Sequence, residues 1–234
     1  MTEVSMLSAH NTMPREGHHE GIYHIFSYLK GHENLRIVFD PVYPKIDDRC
    51  FKTVDWKDFY PEAIDKLPPG MPEPLGLPVE IPCFVDADHA GNLLTHQSHS
   101  GVLIFLNKAL VVWYSKHQNM VKSSTFGSKF VAMRIATNLI VSLHYKLRMF
   151  GVPLMGPANV FCDNQGVVNN TTMPESTLSK KHNQICYHRV REAAVAGIIR
   201  IAKEDSETNL ADILTKPLDL PKRRFFASES IVLN

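Results

Sequence analysis

Residues 81–91 read IPCFVDADHAG, and this stretch decides the fold. An apolar run leads directly into Asp86, and a second carboxylate follows at Asp88. The run has the length and composition of a buried strand. A single aspartate at a strand end is more often a turn residue or a helix cap than a ligand. It can nevertheless present a carboxylate oxygen at the rim of a sheet, where a hard cation binds.

Two later aspartates stand in similar settings. Asp163 follows the apolar run ANVFC at residues 158–162, and Asp212 lies in a short helical pattern at residues 209–215. Strand ends and helix starts can bring distant carboxylates together. We therefore take Asp86, Asp163 and Asp212 as candidate catalytic and metal-ligating residues.

Composition sets broad limits on the protein. The chain has 234 residues, 44% of them apolar, and a formal net charge of +1, which argues neither for nor against a polyanionic partner. Because no apolar run approaches the ~18 residues of a membrane span, we expect a soluble, intracellular protein with no membrane partner. The four cysteines lack CxxC spacing, so buried free thiols are favoured over disulfides or metal ligands.

The first third of the chain predicts little regular structure. Residues 17–30 have the apolar spacing of a helix, and residues 36–40 form a short strand candidate. Seven of the 15 prolines lie between Pro61 and Pro82, so residues 41–80 are predicted to be a proline-rich linker. Trp56, Phe59 and Tyr60 are expected to fix this linker to a neighbouring element.

From residue 82 onward the pattern is mixed α/β. Strand patterns at residues 101–106 and 109–115 are joined by a short turn, which predicts an antiparallel hairpin. A long helix follows, with Phe126, Phe130 and Met133 on its apolar stripe. The predicted order β-β-β-α-β-α-α-β-α gives an α/β fold with a mixed five-stranded sheet.

Several motifs, in order, resemble the ribonuclease H domain of copia-type retrotransposon Pol polyproteins. They are FVDADHAG, SGVLIFLN, ALVVWYSKHQ, SSTFGSKFVA, VFCDNQGVV, KKHNQICYHRVRE and NLADILTKPL, spread over residues 81–217. Upstream, residues 6–31 are similar to the end of the reverse transcriptase thumb that precedes this domain in such polyproteins.

The resemblance implies a domain organisation and a fold. A remnant of the thumb or connection would occupy residues 1–40 and the linker residues 41–80. A ribonuclease H-like domain would occupy residues 81–218, and a C-terminal tail residues 219–234. The implied fold has three layers around a mixed five-stranded sheet, preceded by a helical segment and the proline-rich linker.

The resemblance also implies a metal site. Two Mg²⁺ ions (or Mn²⁺) would be held by four carboxylates and would activate water and stabilise the leaving oxyanion. Asp86 would bridge the metals, Asp163 would be the second strand-end ligand, and Asp212 would lie beside the water. The fourth acidic position falls on Lys129. An ammonium supplies no lone pair, and at ~4 Å its repulsion of a cation is roughly 4 kcal/mol per unit charge at an effective dielectric near 20.

A basic stretch is the candidate nucleic-acid-binding surface. Lys180, Lys181 and Arg189 could neutralise phosphates, although an ordinary solvated helix face explains them equally well. Asn164 and Gln165, next to Asp163, have donors and acceptors suited to 2′-hydroxyl contacts. The implied partners are an RNA/DNA hybrid and the reverse transcriptase portion of the same polyprotein.

Three histidines invite a zinc interpretation. His89, His96 and His99 have H-x6-H-x2-H spacing, but no cysteine pair or fourth ligand accompanies them. A polar loop at one edge of the substrate groove is the favoured interpretation.

Two functions remain open from the sequence. The first is Mg²⁺-dependent endonucleolytic cleavage of RNA in RNA/DNA hybrids, weakened or lost because Lys129 replaces the catalytic glutamate. The second is a non-catalytic retroelement remnant that at most binds nucleic acid.

Overall fold

The computed structural model describes residues 2–8, 10–34, 37–52, 54–56, 59–91, 95–178, 184–216, 218–219, 221–222 and 225. The helices are α1 (Thr2–Ser8), α2 (Glu16–Gly31), α3 (Thr125–Met149), α4 (Gln165–Thr172) and α5 (Gln184–Val195). The strands are β1 (Pro82–Ala87), β2 (His99–Leu106), β3 (Ala109–His117), β4 (Ala158–Cys162) and β5 (Ile199–Lys203). Among the described residues, 3₁₀-helices span Asp48–Cys50 and Leu210–Leu214.

The five strands form one mixed sheet in the order β3-β2-β1-β4-β5. β2 pairs antiparallel with both β1 and β3, which confirms the predicted hairpin. β4 pairs parallel with both β1 and β5, as expected for strands joined through helices. The expected α/β class with a mixed five-stranded sheet is therefore confirmed, and β1 lies at its centre.

Alternating side chains of the central strands pack into two cores, one on each face of the sheet. Cys83 and Val85 of β1 belong to the larger core together with Val102 and Ile104 of β2. The α3 stripe packs against this face, and its fully buried apolar side chains are Phe130, Ala132, Met133, Ala136 and Ile140. On the opposite face, Phe84, Leu103 and Phe105 pack against the 3₁₀-helix Leu210–Leu214. A side-chain period of two thus gives the sheet a covering layer on each face.

The segment before β1 lies against the sheet domain at several points. The Asn107 side chain donates to the Pro41 carbonyl at 2.8 Å, and the Tyr60 hydroxyl lies 2.8 Å from Nδ1 of His188 on α5. Arg148 of α3 forms a two-point ion pair with Asp65. The division into a linker and a ribonuclease H-like domain stays a prediction.

The structure also tests the predictions for the N-terminal helix, the strand at residues 36–40 and the cysteines. The helix predicted at residues 17–30 is α2, but residues 37–40 form no strand, so that prediction is wrong. The cysteines are free thiols, with Cys83, Cys162 and Cys186 buried and Cys50 exposed. In the described part of the chain, no helix is long and apolar enough to cross a membrane.

Two histidines are buried in the domain. His99 of β2 is 0% exposed and His144 of α3 is 3% exposed. Neither ring nitrogen of His144, nor Nδ1 of His99, has a hydrogen-bond partner among the described residues. Burial lowers the pKa of both groups to about 4: the neighbouring His117 adds to the effect at His99, and Arg148 adds to it at His144. The folded protein therefore holds these side chains neutral.

Acidification below pH 6.5 should destabilise the fold. In this range His99 and His144 become protonated in the unfolded chain but stay neutral in the folded protein, where their pKa is lowered to about 4. The free energy of unfolding therefore falls as pH drops from 6.5 to about 4. Each histidine should lower the free energy of unfolding by up to about 2 kcal/mol between pH 7 and pH 5. In urea unfolding at pH 7, 6 and 5, His144→Leu should reduce this dependence by about half, and the exposed-site control His24→Leu should not. Equal pH dependence in both variants would contradict the assignment.

Candidate active site

β1 and β4 place two carboxylates at one edge of the sheet. The strands are parallel and neighbouring, with Val85 opposite Cys162 in the register. Asp86 therefore lies at the carboxyl end of β1 beside Asp163, which directly follows β4. Asp86 is 2% exposed. The structure thus brings together two of the three aspartates singled out from the sequence.

Lys129 lies between these two carboxylates. It is the fifth residue of α3, whose start is capped by the Ser124 hydroxyl accepting the Gly127 N–H at 3.3 Å. Its side chain points inward, and Nζ donates to Asp86 Oδ1 at 3.0 Å and to Asp163 Oδ1. Lys129 is only 8% exposed. The lysine does not turn away into solvent; it bridges the two predicted ligands.

The charges of this group shift one another's pKa values. Burial by itself would raise the pKa of Asp86, but the Lys129 charge and hydrogen bonds from Thr215 and Lys129 leave that pKa below its ordinary value. Burial likewise opposes the ammonium, but Asp86 and Asp163 outweigh it and raise the pKa of Lys129. Near neutral pH, Asp86 is therefore ionised and Lys129 protonated.

Asp212 reaches the same edge from the other face of the sheet. It lies in the 3₁₀-helix Leu210–Leu214 and is 0% exposed. Its Oδ2 is 2.8 Å from Lys216 Nζ and 3.4 Å from Lys222 Nζ. Burial raises the pKa of Asp212, and the negative charge of Asp86 adds to this increase. The neighbouring Lys216 ammonium acts in the opposite direction. The Thr215 hydroxyl donates to Asp86 Oδ2, which links this segment to the first pair.

Close backbone packing seats the 3₁₀-helix on the sheet. The Asn209 side-chain amide donates to the Val85 carbonyl at 3.0 Å, and its oxygen accepts the Ala211 N–H at 3.2 Å. Gly101 of β2 lies opposite Asp86 in the register. A Cβ at Gly101 would lie 2.7 Å from Thr215 Cγ2 and 2.9 Å from the Ala211 carbonyl oxygen. The approach of Thr215 to Asp86 therefore requires a residue without a side chain at position 101.

The residues present do not fit the implied metal. Mg²⁺ requires near-octahedral oxygen ligands at about 2.0–2.1 Å. Beside Asp86 Oδ1 and Asp163 Oδ1 the site instead holds the Lys129 ammonium. Within the described residues, no group of three histidine, cysteine or acidic side chains is arranged to hold a metal. The arrangement is an internal ion-pair cluster.

Three of the residues predicted to bind nucleic acid are described, two at the start of α4 and one on α5. The Asn164 side chain caps α4, accepting the Val167 N–H at 3.0 Å. Gln165 is exposed and donates to Asn169 at 2.8 Å, and Arg189 of α5 donates to Asn138 of α3 at 3.0 Å. Lys180 and Lys181 lie outside the described residues.

Arg191, two residues after Arg189 on α5, has a structural role. It is 2% exposed, and its guanidinium donates to the backbone carbonyls of Asn170 at 3.1 Å, Met173 at 3.0 Å and Pro174 at 2.8 Å. It also lies 4.7 Å from the ring centroid of Trp56, which fixes the proline-rich segment to α5 as expected of that tryptophan. Arg191 is not available to phosphates.

The three histidines do not converge. His89 and His96 are exposed, whereas His99 is buried with Nε2 2.8 Å from Ser115 Oγ. The structure therefore gives the zinc interpretation no support among the residues it describes.

Sequence reasoning missed three side chains of the cluster: Thr215, Lys216 and Lys222. The only signal was the basic composition of residues 216–224, which does not indicate that two of these lysines pair with Asp212.

Comparison with known sequences gives consistent relatives. No family model matches the chain. It is 28% identical over 154 residues to the retrovirus-related Pol polyprotein from transposon RE1 of Arabidopsis thaliana, covering 66% of this chain and 10% of the relative. It is 26% identical over 149 residues to the Pol polyprotein from transposon TNT 1-94 of Nicotiana tabacum, covering 64% and 11%. The chain thus spans about a tenth of the length of these relatives, and its homologues are copia-type retrotransposon Pol polyproteins.

Ribonuclease H proteins are among the solved structures that are similar to the chain. The N-terminal ribonuclease H domain of a Mycobacterium tuberculosis protein is 13% identical with a TM-score of 0.45, covering 64% of this chain and 97% of that one. Ribonuclease H1 of Halobacterium salinarum is 16% identical with a TM-score of 0.45, covering 58% and 94%. LC11 ribonuclease H1, solved in complex with an RNA/DNA hybrid, is 16% identical with a TM-score of 0.46, covering 58% and 94%.

Gly101→Ala should destabilise the domain by about 1–3 kcal/mol, because the new methyl group would meet the Ala211 backbone, which cannot rotate away. Urea unfolding measures the loss. Gly17→Ala is the matched control: it lies in α2 with no atom within 4 Å of the added Cβ, so it should stabilise by roughly 0.5–1 kcal/mol. Equal effects of both substitutions would show that the 3₁₀-helix does not need Gly101.

Proposed function

We propose that this chain is a ribonuclease H-like domain related to retrotransposon Pol polyproteins. It retains the fold of an endonuclease that acts on RNA/DNA hybrids, but it does not cleave the RNA strand. The observation that carries this proposal is the bridge from Lys129 Nζ to Asp86 and Asp163. Enzymes of this fold generally use divalent metals. The finer assignment of Asp86, Asp163 and Asp212 as former ligands of Mg²⁺ or Mn²⁺ belongs to the proposal.

The chemistry of an ammonium supports loss of activity. Phosphodiester hydrolysis needs a nucleophilic water and a stabilised leaving oxyanion, which paired divalent cations provide. An ammonium has no vacant coordination position for that water and carries a single charge. A metal ion would also have to displace Lys129 from two buried carboxylates, and each charge pair at ~4 Å is worth roughly 4 kcal/mol at an effective dielectric near 20.

The proposed partner is an RNA/DNA hybrid. Gln165 lies next to Asn164 at the start of α4, close to Asp163, and presents exposed amide groups suited to 2′-hydroxyl contacts. Arg189 is partly exposed on α5 and can contact a phosphate if its bond to Asn138 opens. We propose the reverse transcriptase portion of a longer Pol polyprotein as a second partner, since the relatives are such polyproteins.

Lys129→Glu should give the domain metal-dependent activity, because it replaces the bridging ammonium with the missing carboxylate. With a labelled RNA/DNA hybrid in Mg²⁺ or Mn²⁺, we expect no cleavage by the native chain and cleavage at least about tenfold above that background by the variant.

The double variant Lys129→Glu/Asp86→Asn controls for contaminating nuclease and should be inactive. Asp86-dependent cleavage by the native chain would overturn the proposed inactivity. An inactive Lys129→Glu variant that still binds hybrid would favour a non-catalytic remnant that binds nucleic acid.

Arg189→Met should weaken hybrid binding by about 3- to 10-fold at low salt and flatten the dependence of log K on log salt by about 0.9, the amount expected for one lost phosphate contact. Fluorescence anisotropy with a labelled hybrid measures both quantities. Arg49→Met is the matched control, since it removes the same charge from a side chain that is 90% exposed in the segment before the sheet. The same loss in both variants would mean that Arg189 makes no specific contact.

A further inference from the structure

Each of the three candidate ligand carboxylates is engaged by a lysine of the chain itself. Asp86 and Asp163 share Lys129, and Asp212 pairs with Lys216 and Lys222. Lys222 also pairs with Glu207, whereas Lys129 contacts both Asp86 and Asp163. Each candidate carboxylate thus has a positively charged side chain of the chain beside it.

Lys129 is the buried member of the positive set. Its side chain is 10% exposed, compared with 44% for Lys216 and 21% for Lys222. The carboxylates that it joins are also buried, with side chains of Asp86 and Asp163 only 2% and 7% exposed. Water can screen such charges only weakly, so the two carboxylates depend on the ammonium for compensation.

We propose that Lys129 is a tethered structural counter-ion: its ammonium takes the place of a divalent cation at the sheet edge, and it makes folding of this domain independent of metal. The inference rests on the proposed function only in identifying Asp86 and Asp163 as the pair that a metal would bind. It concerns the stability of the fold and can be tested without any nuclease assay.

Two consequences follow for thermal unfolding near neutral pH. The melting temperature of the native chain should be the same, within about 1 °C, in Mg²⁺, in Mn²⁺ and in EDTA, because a ligand that does not bind the folded state does not stabilise it. Lys129→Met keeps the length of the side chain but leaves two buried carboxylates facing each other. We expect it to lower the melting temperature by roughly 5–15 °C and to make it rise again with millimolar Mn²⁺.

Two further variants isolate the cause. Lys146→Met makes the same chemical change at an exposed position of α3 and should leave both the melting temperature and the metal response unchanged. The triple variant Lys129→Met/Asp86→Asn/Asp163→Asn removes Lys129 together with both of its carboxylate partners. It should be more stable than Lys129→Met and should not respond to metal, because no uncompensated charge remains.

The outcomes decide the inference separately from the proposed function. A native melting temperature that rises by several degrees in Mg²⁺ would overturn it, even if Lys129→Met did not fold. Equal stability of Lys129→Met and the native chain would overturn it as well. Cleavage of hybrids by the native chain would contradict the proposed inactivity. If metal ions still left the melting temperature of the native chain unchanged, the counter-ion role of Lys129 would be retained.

Discussion

The bridge between the Lys129 ammonium and the carboxylates of Asp86 and Asp163 is the interaction on which the centre of this structure depends. It joins the end of β1, the end of β4 and the first turns of α3, which are far apart in the sequence. Thr215 adds the fourth element by donating to the second oxygen of Asp86. Four chain segments are thus tied at one sheet edge through the Asp86 carboxylate and the Lys129 ammonium.

The arrangement of β1, β4 and α3 explains why this site holds a positively charged group, here the Lys129 ammonium. Parallel neighbouring strands and a helix start bring carboxylates close together, which creates negative potential in a poorly solvated place. That potential must be compensated, either by an ion from solvent or by a side chain of the protein. Lys129 provides the compensation from within, and Lys216 and Lys222 do the same for Asp212. In the proposed function, this compensation by side chains leaves no vacant coordination position of the kind that a metal-assisted hydrolysis of a phosphodiester requires.

Away from this edge, contacts of two arginines fix the proline-rich segment to the sheet domain. Arg191 donates to backbone carbonyls after α4 and lies against the Trp56 ring, and Arg148 pairs with Asp65. A segment with almost no regular secondary structure cannot satisfy its polar groups by a backbone ladder, so it relies on such side-chain contacts. The guanidinium groups of Arg191 and Arg148 thus contact other parts of the protein.

The sequence by itself determined the elements of the sheet domain and the adjacency of Asp86 and Asp163, because strand and helix periods are local and parallel strand ends share an edge. It also identified Lys129 as the departure from an acidic ligand set. It did not determine where the ammonium would go, the contacts of Thr215 and Lys222, or the burial of Arg191. It also wrongly predicted a strand at residues 36–40, where residues 37–40 have no strand neighbour. Only the tertiary structure decided these points, because a side chain's charge partner and a strand's hydrogen-bond partner come from distant segments and leave no periodic trace in the sequence.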